Sequence, residues 1–136
     1  QFIGTGAAAE LRDVAGTRLL RTRTCPKLTE ATVCATHPGM FTGPDERLRF
    51  DRVAAAARLT RFGGDCYLYC MLALGQVDLD VEAGLAFYDI AALIPIVEGA
   101  GGVVTDWAGG RDFGSGRVIA AGDRQLHAQA LALLNA

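Results

Sequence analysis

Carboxylates at strand and helix ends are the side chains of this sequence whose types and spacing suggest a reaction centre. Asp78, Asp80 and Glu82 alternate with apolar residues in Val77-Asp78-Leu79-Asp80-Val81-Glu82, which sets all three on one face of a strand. Three acids so placed could bind a hard divalent cation, although a solvated strand face accounts for Asp78 and Asp80 more simply. Glu82 differs because it ends the strand beside Gly84, where a side chain can face a cleft. Asp89 precedes an apolar stripe and has two readings: a helix N-cap, or a metal ligand displayed at the end of a rigid element. Gly63-Gly64-Asp65 also has two. The glycines permit backbone shapes closed to other residues, so a ligand could approach the main chain at a helix start; the same residues serve an ordinary tight strand-to-helix turn. Periodicity does not choose between these.

The other reactive residue types offer less. His37 and His127 are far apart and no nucleophile signature accompanies them, so both read as surface or structural residues. Cys25, Cys34, Cys66 and Cys70 contain no C-x-x-C pair and read as reduced structural thiols rather than zinc ligands. Tyr67, Tyr69 and Trp107 read as packing.

The elements that must position the acids follow from pattern. Residues 1–24 suggest a strand, a glycine turn and a return ending in basic residues, hence a hairpin or meander. Ala31 to Thr36 is a strand broken by His37-Pro38-Gly39. Pro44-Asp45-Glu46 suits a first helical turn, with Phe50, Val53, Ala54 and Ala57 at helical spacing. Leu59 to Phe62 is a short strand, and Asp65 is expected to N-cap an apolar helix over Cys66 to Leu74 that Gly75 ends. A helix opening at Asp89 carries Ile90, Leu93, Ile94 and Val97, with Pro95 kinking it or loosening its first turns. Strands over Val103 to Asp106 and Val118 to Ala121 precede a last helix capped by Asp123. The alternation predicts one α/β domain over residues 1–136, a mixed sheet flanked by helices. If the strands at 59–62 and 77–82 are neighbours, ligands would collect at their carboxyl ends, near Gly64 and Glu82.

Composition excludes several classes. The chain has 136 residues, 51% hydrophobic and 21% charged, which suits one globular domain rather than disorder. Thirteen basic and fifteen acidic residues give a net charge of −2, with no cationic run of the kind nucleic acid requires. No apolar stretch is long enough for a bilayer, and a cytoplasmic protein is expected.

Tyr88-Asp89-Ile90-Ala91-Ala92, followed by Gly99-Ala100-Gly101-Gly102-Val103-Val104-Thr105-Asp106-Trp107, resembles the carboxy-terminal signature of the inositol monophosphatase superfamily. Arg61 to Tyr67, Val81 to Leu85 and Val97 to Gly102 look more like the histidinol-phosphate phosphatase branch. The resemblance implies the carboxy-terminal half of a layered α/β phosphatase, with residues 1–24 a remnant of the front portion. It implies that Asp89 is a catalytic ligand of Mg²⁺ and that Glu82 and the backbone of Gly64, Asp65 and Cys66 contact the non-phosphate part of a small phosphorylated metabolite. The family's Glu-Glu and Asp-Pro-Ile-Asp-Gly-Thr segments, which supply most metal ligands, do not occur in these 136 residues. The chain alone is therefore expected to be inactive, to need a missing amino-terminal portion, and to form a homodimer. A binding or assembly module without activity is the competing reading.

Overall fold

A computed structural model describes all 136 residues. The chain opens with an antiparallel meander of three strands, β1 (Phe2–Gly4), β2 (Ala9–Asp13) and β3 (Gly16–Leu19), as residues 1–24 predicted. The main sheet has five strands: β4 (Thr32–Ala35), β5 (Leu59–Phe62), β6 (Leu79–Glu82), β7 (Val103–Thr105) and β8 (Val118–Ala121), in the order β5-β4-β6-β8-β7. β4 runs parallel to both β5 and β6, whereas β8 is antiparallel to β6 and β7, so the sheet is mixed.

Helices cover both faces. On one side α1 (Glu46–Ala56) and α5 (Arg124–Leu134) pack Phe50, Val53, Leu126, Ala130 and Leu134 against Val33, Ala35, Leu79 and Val81. On the other, α2 (Tyr67–Ala73), α3 (Phe87–Ile90) and α4 (Ile94–Gly99) bury Tyr69, Leu72, Ile90 and Val97 against Val104, Val118 and Ala120. The meander lies on the outside of α4, joined through Ala9, Leu11, Leu20 and Ile96. Its contact is backbone on backbone: a Cβ at Gly4 would lie 2.4 Å from the Ile96 nitrogen, and one at Gly99 would lie 2.4 Å from the Ala8 carbonyl oxygen. Only glycine fits either place.

Several expectations change. β5 and β6 are not neighbours, because β4 lies between them, and it is β4 and β6 whose carboxyl ends adjoin. The stripe from Asp89 to Gly99 is two helices rather than one. Proline lacks an N–H and is tolerated only in a first turn, so Pro95 sits at the start of α4 and α3 ends before it. α1 starts at Glu46, after Asp45 in the left-handed region (φ 64°), and Pro44 stays outside it. Asp123 does cap α5, its carboxylate accepting from the Gln125 amide.

The largest correction concerns the alternating acids. β6 is the middle strand of five with helices on both faces, so Asp78 and Asp80 are fully buried and Glu82 is 2% exposed. Asp78 is satisfied: Arg23 donates to both its oxygens, at 2.9 and 2.7 Å, and the Thr32 amide adds a third bond. Thr36 and Tyr69 satisfy Glu82. Asp80 between them has no partner on either oxygen. Burial, then the nearby Glu82, push its carboxyl well above the usual carboxylate range.

A raised folded-state value means that the unfolded chain gives up this proton first, near pH 4. Stability from this group is therefore present below that pH and is lost as pH rises toward the folded value. Replacing Asp80→Val should raise stability by about 1–3 kcal/mol at pH 7.5, with a smaller gain at pH 4, in thermal melts at both values. A lower melting temperature at pH 7.5 would mean that the carboxylate has a partner.

Candidate active site

The carboxyl end of β6 opens onto a cavity of about 410 Å³ lined by Asp65, Cys66, Tyr69, Glu82, Leu85, Tyr88, Asp89, Ala92 and Leu93. Ligands of α/β sheets gather at such strand ends. Four of the residues singled out in the sequence, Asp65, Cys66, Glu82 and Asp89, line it together. Gly64 lies just before them in the turn without lining it, and its backbone (φ +111°) needs glycine.

Glu82 is held at both oxygens. Oε1 accepts from the Thr36 amide at 3.1 Å and from the Thr36 hydroxyl, and Oε2 accepts from the Tyr69 hydroxyl at 2.8 Å. Thr36 is the first residue past β4 and Tyr69 is in the first turn of α2, so the carboxylate ties two elements together across the cavity floor. Tyr69 is 1% exposed, and burial, then Asp80 and Glu82, drive its phenol well above the ordinary tyrosine value, keeping it the donor.

Neither Asp65 nor Asp89 is an N-cap. Asp65 has a left-handed backbone (φ 50°) and its Oδ1 accepts from the next amide, Cys66. Asp89 is the third residue of α3, and its Oδ2 accepts from the Ala86 amide at 2.8 Å, closing the helix start. Its Oδ1 makes no bond within the chain and the residue is exposed at the cavity mouth. Tyr88 beside it is 84% exposed.

The cavity wall thus carries three carboxylates and no Lys, Arg or His. That wall repels a bare phosphate and favours cationic or hydrogen-donating groups. The donor set for Mg²⁺ is incomplete within this chain: no group of three His, Cys, Asp or Glu side chains could hold a metal. Asp89 offers one free oxygen, whereas Mg²⁺ needs further carboxylates or substrate phosphate oxygens to stay bound.

Sequence reasoning took Tyr69 for packing and passed over Thr36. A tyrosine inside a helix expected to be buried on most sides was the available signal, since a buried phenol must find a hydrogen-bond partner. Thr36 gave none, because strand ends are commonly Thr. His127 is indeed structural, buried against the Thr105 hydroxyl at 2.8 Å, while His37 is exposed and its Nδ1 accepts from the Gly39 amide. All four cysteines are free, and burial, then Asp80, push Cys34 up to about 12. No helix is long and apolar enough to cross a membrane.

The layered α/β fold with an acid-lined cavity at a strand end is on its own compatible with many functions, and comparison with known proteins gives the family. The family model described as the inositol monophosphatase family matches residues 5–136. The chain belongs to that family. It is 43% identical over 121 residues to the chloroplastic bifunctional phosphatase IMPL2 of Arabidopsis thaliana, covering 82% of this chain and 35% of the relative. It is 31% identical to a histidinol-phosphatase of Mycobacterium tuberculosis, covering 98% of this chain and 50% of the relative. An inositol monophosphatase from Zymomonas mobilis superposes with a TM-score of 0.82 at 42% identity, covering 95% of this chain and 53% of that one. The chain spans half or less of the length of these curated relatives.

The tie at Glu82 yields a stability prediction. Glu82→Ala would leave the Tyr69 hydroxyl and two Thr36 donors without an acceptor, so it should cost about 3 kcal/mol in urea denaturation, and Glu82→Gln about 1 kcal/mol. Equal, small losses for both would show that the carboxylate does not organise the cavity floor.

Proposed function

We propose that this chain supplies the substrate-side wall of a divalent-metal-dependent phosphatase acting on a small phosphate monoester, with histidinol phosphate preferred. The observation that carries the reading is the charge of the cavity: three carboxylates, no basic side chain, and about 410 Å³ of space. Such a wall cannot take the phosphate itself, but it suits an amine or imidazole at the other end of the same molecule. Similarity to a histidinol-phosphatase supports the substrate class.

The metal is proposed as Mg²⁺ on the family resemblance, with Asp89 as this chain's ligand through its free Oδ1. The other donors would come from outside these residues, from a longer polypeptide or a second one. Asp65, Cys66 and the backbone at Gly64 would border the non-phosphate part of the substrate, opposite Glu82.

Inositol and related sugar phosphates are the second reading, favoured by 43% identity over 77 residues to inositol monophosphatase 2 of Rattus norvegicus. Phosphate release measured on a protein of the relatives' full length, with and without Mg²⁺, separates the readings. Histidinol phosphate should be hydrolysed at least about tenfold faster than inositol 1-phosphate, a ratio one matched polar contact can supply. In the same protein Asp89→Asn should lower kcat by roughly a hundredfold or more, because a metal ligand loses its charge. The variant should fold, since the new side-chain oxygen can still accept from the Ala86 amide. Activity without added metal, or an active Asp89→Asn variant, would remove Asp89 from the reaction. No activity at full length would favour the binding module.

A further inference from the structure

The cavity contains an imbalance between hydrogen-bond donors and acceptors that the burial of Tyr69 creates. A carboxylate offers roughly four acceptor positions. Glu82 uses two on Oε1, for the Thr36 amide and hydroxyl, and one on Oε2, for the Tyr69 hydroxyl. One position therefore remains, on Oε2, the oxygen whose orientation Tyr69 fixes. The single phenolic proton of Tyr69 is spent on that bond and cannot be offered to a ligand. Asp65 and Asp89 present acceptors as well, and the remaining polar lining side chains are the thiol of Cys66, a weak donor, and the hydroxyl of Tyr88, which stands exposed at the mouth, away from the floor that Glu82 and Tyr69 form.

We propose that Tyr69 is a specificity-determining positioning residue, whose hydroxyl holds Glu82 so that the cavity accepts ligands bearing N–H donors on a positive group and disfavours neutral polyols. A polyol hydroxyl is both donor and acceptor, and at the floor of this cavity it can donate to Glu82 but finds no donor for its own oxygen, the Cys66 thiol and the Tyr88 hydroxyl being the only side-chain donors left in the lining. An ammonium or imidazolium has donors only, and its charge is matched by the wall. Thr36 anchors the opposite oxygen, so Tyr69 decides where the last position points. The inference rests on the proposed reading of this cavity as the site for the substrate's non-phosphate end.

The test is an NMR titration of the 136-residue chain at pH 7 with two probes, L-histidinol and myo-inositol, neither of which carries phosphate or needs the metal. The wild-type chain should bind histidinol at least about tenfold more tightly than inositol. Tyr69→Phe, which keeps the ring and removes only the hydroxyl, should weaken histidinol binding roughly tenfold and leave inositol binding nearly unchanged. Thr36→Val should reduce the preference in the same direction and Thr36→Ser should restore it, which keeps the test available if Tyr69→Phe folds poorly. Equal weakening of both ligands by Tyr69→Phe would show a purely structural tyrosine and overturn the proposal. A wild-type preference that survives Tyr69→Phe and Thr36→Val would overturn it while leaving the cationic-substrate reading standing. No preference in the wild-type chain would sink that reading and the inference with it.

Discussion

Three alternating acids, Asp78 just before the central strand and Asp80 and Glu82 within it, must be buried between two helical layers, and the arrangement of the molecule around β6 answers that constraint. A buried charge without a partner is expensive, so each acid draws in something. Asp78 draws Arg23 and with it the segment that joins the outer meander to the main sheet. Glu82 draws Thr36, just past β4, and Tyr69 from α2, which closes the floor of the cavity. Asp80 draws no partner, and burial pushes its carboxyl well above the usual carboxylate range. In succession the stretch carries a structural clamp at Asp78, an unpartnered buried acid at Asp80 and, at Glu82, a carboxylate that lines the cavity.

Much of the fold was legible in the chain because its periods are short and its punctuation strong. The strands at Leu59–Phe62 and Val118–Ala121 fell where the pattern put them, as did the cap at Asp123. Strict alternation in Val77 to Glu82 gave the strand but misled about its surroundings. Alternation says that two faces differ, not that the polar face meets water, and whether a strand is central depends on pairing with β4 and β8 that no local pattern encodes. The break near Pro95 was anticipated as a kink; its consequence, two helices, depends on where the intervening turns pack.

The site was legible in its acids and illegible in their supports. Asp65, Cys66, Glu82 and Asp89 come together from a turn, a strand end and a helix start, while Gly64 stays outside the lining. The hydrogen bonds from Thr36 and Tyr69 that give Glu82 its geometry come from residues 46 and 13 positions away. Such partners are chosen by tertiary proximity. Membership of the inositol monophosphatase family accounts for the order of these elements, and within these 136 residues no group of three His, Cys, Asp or Glu side chains could hold a metal ion.

Under the proposed function, the acid-lined cavity at the carboxyl end of β6 is where the substrate's non-phosphate end binds. The most direct test is amide NMR on a protein of the relatives' full length, with histidinol phosphate and Mg²⁺ added below turnover temperature. The account predicts the largest shifts at Gly64 to Cys66, Thr36 and Glu82 to Asp89. Shifts concentrated instead around Asp106 to Ser115, on the β7 to β8 turn, with the Glu82 region silent, would contradict it.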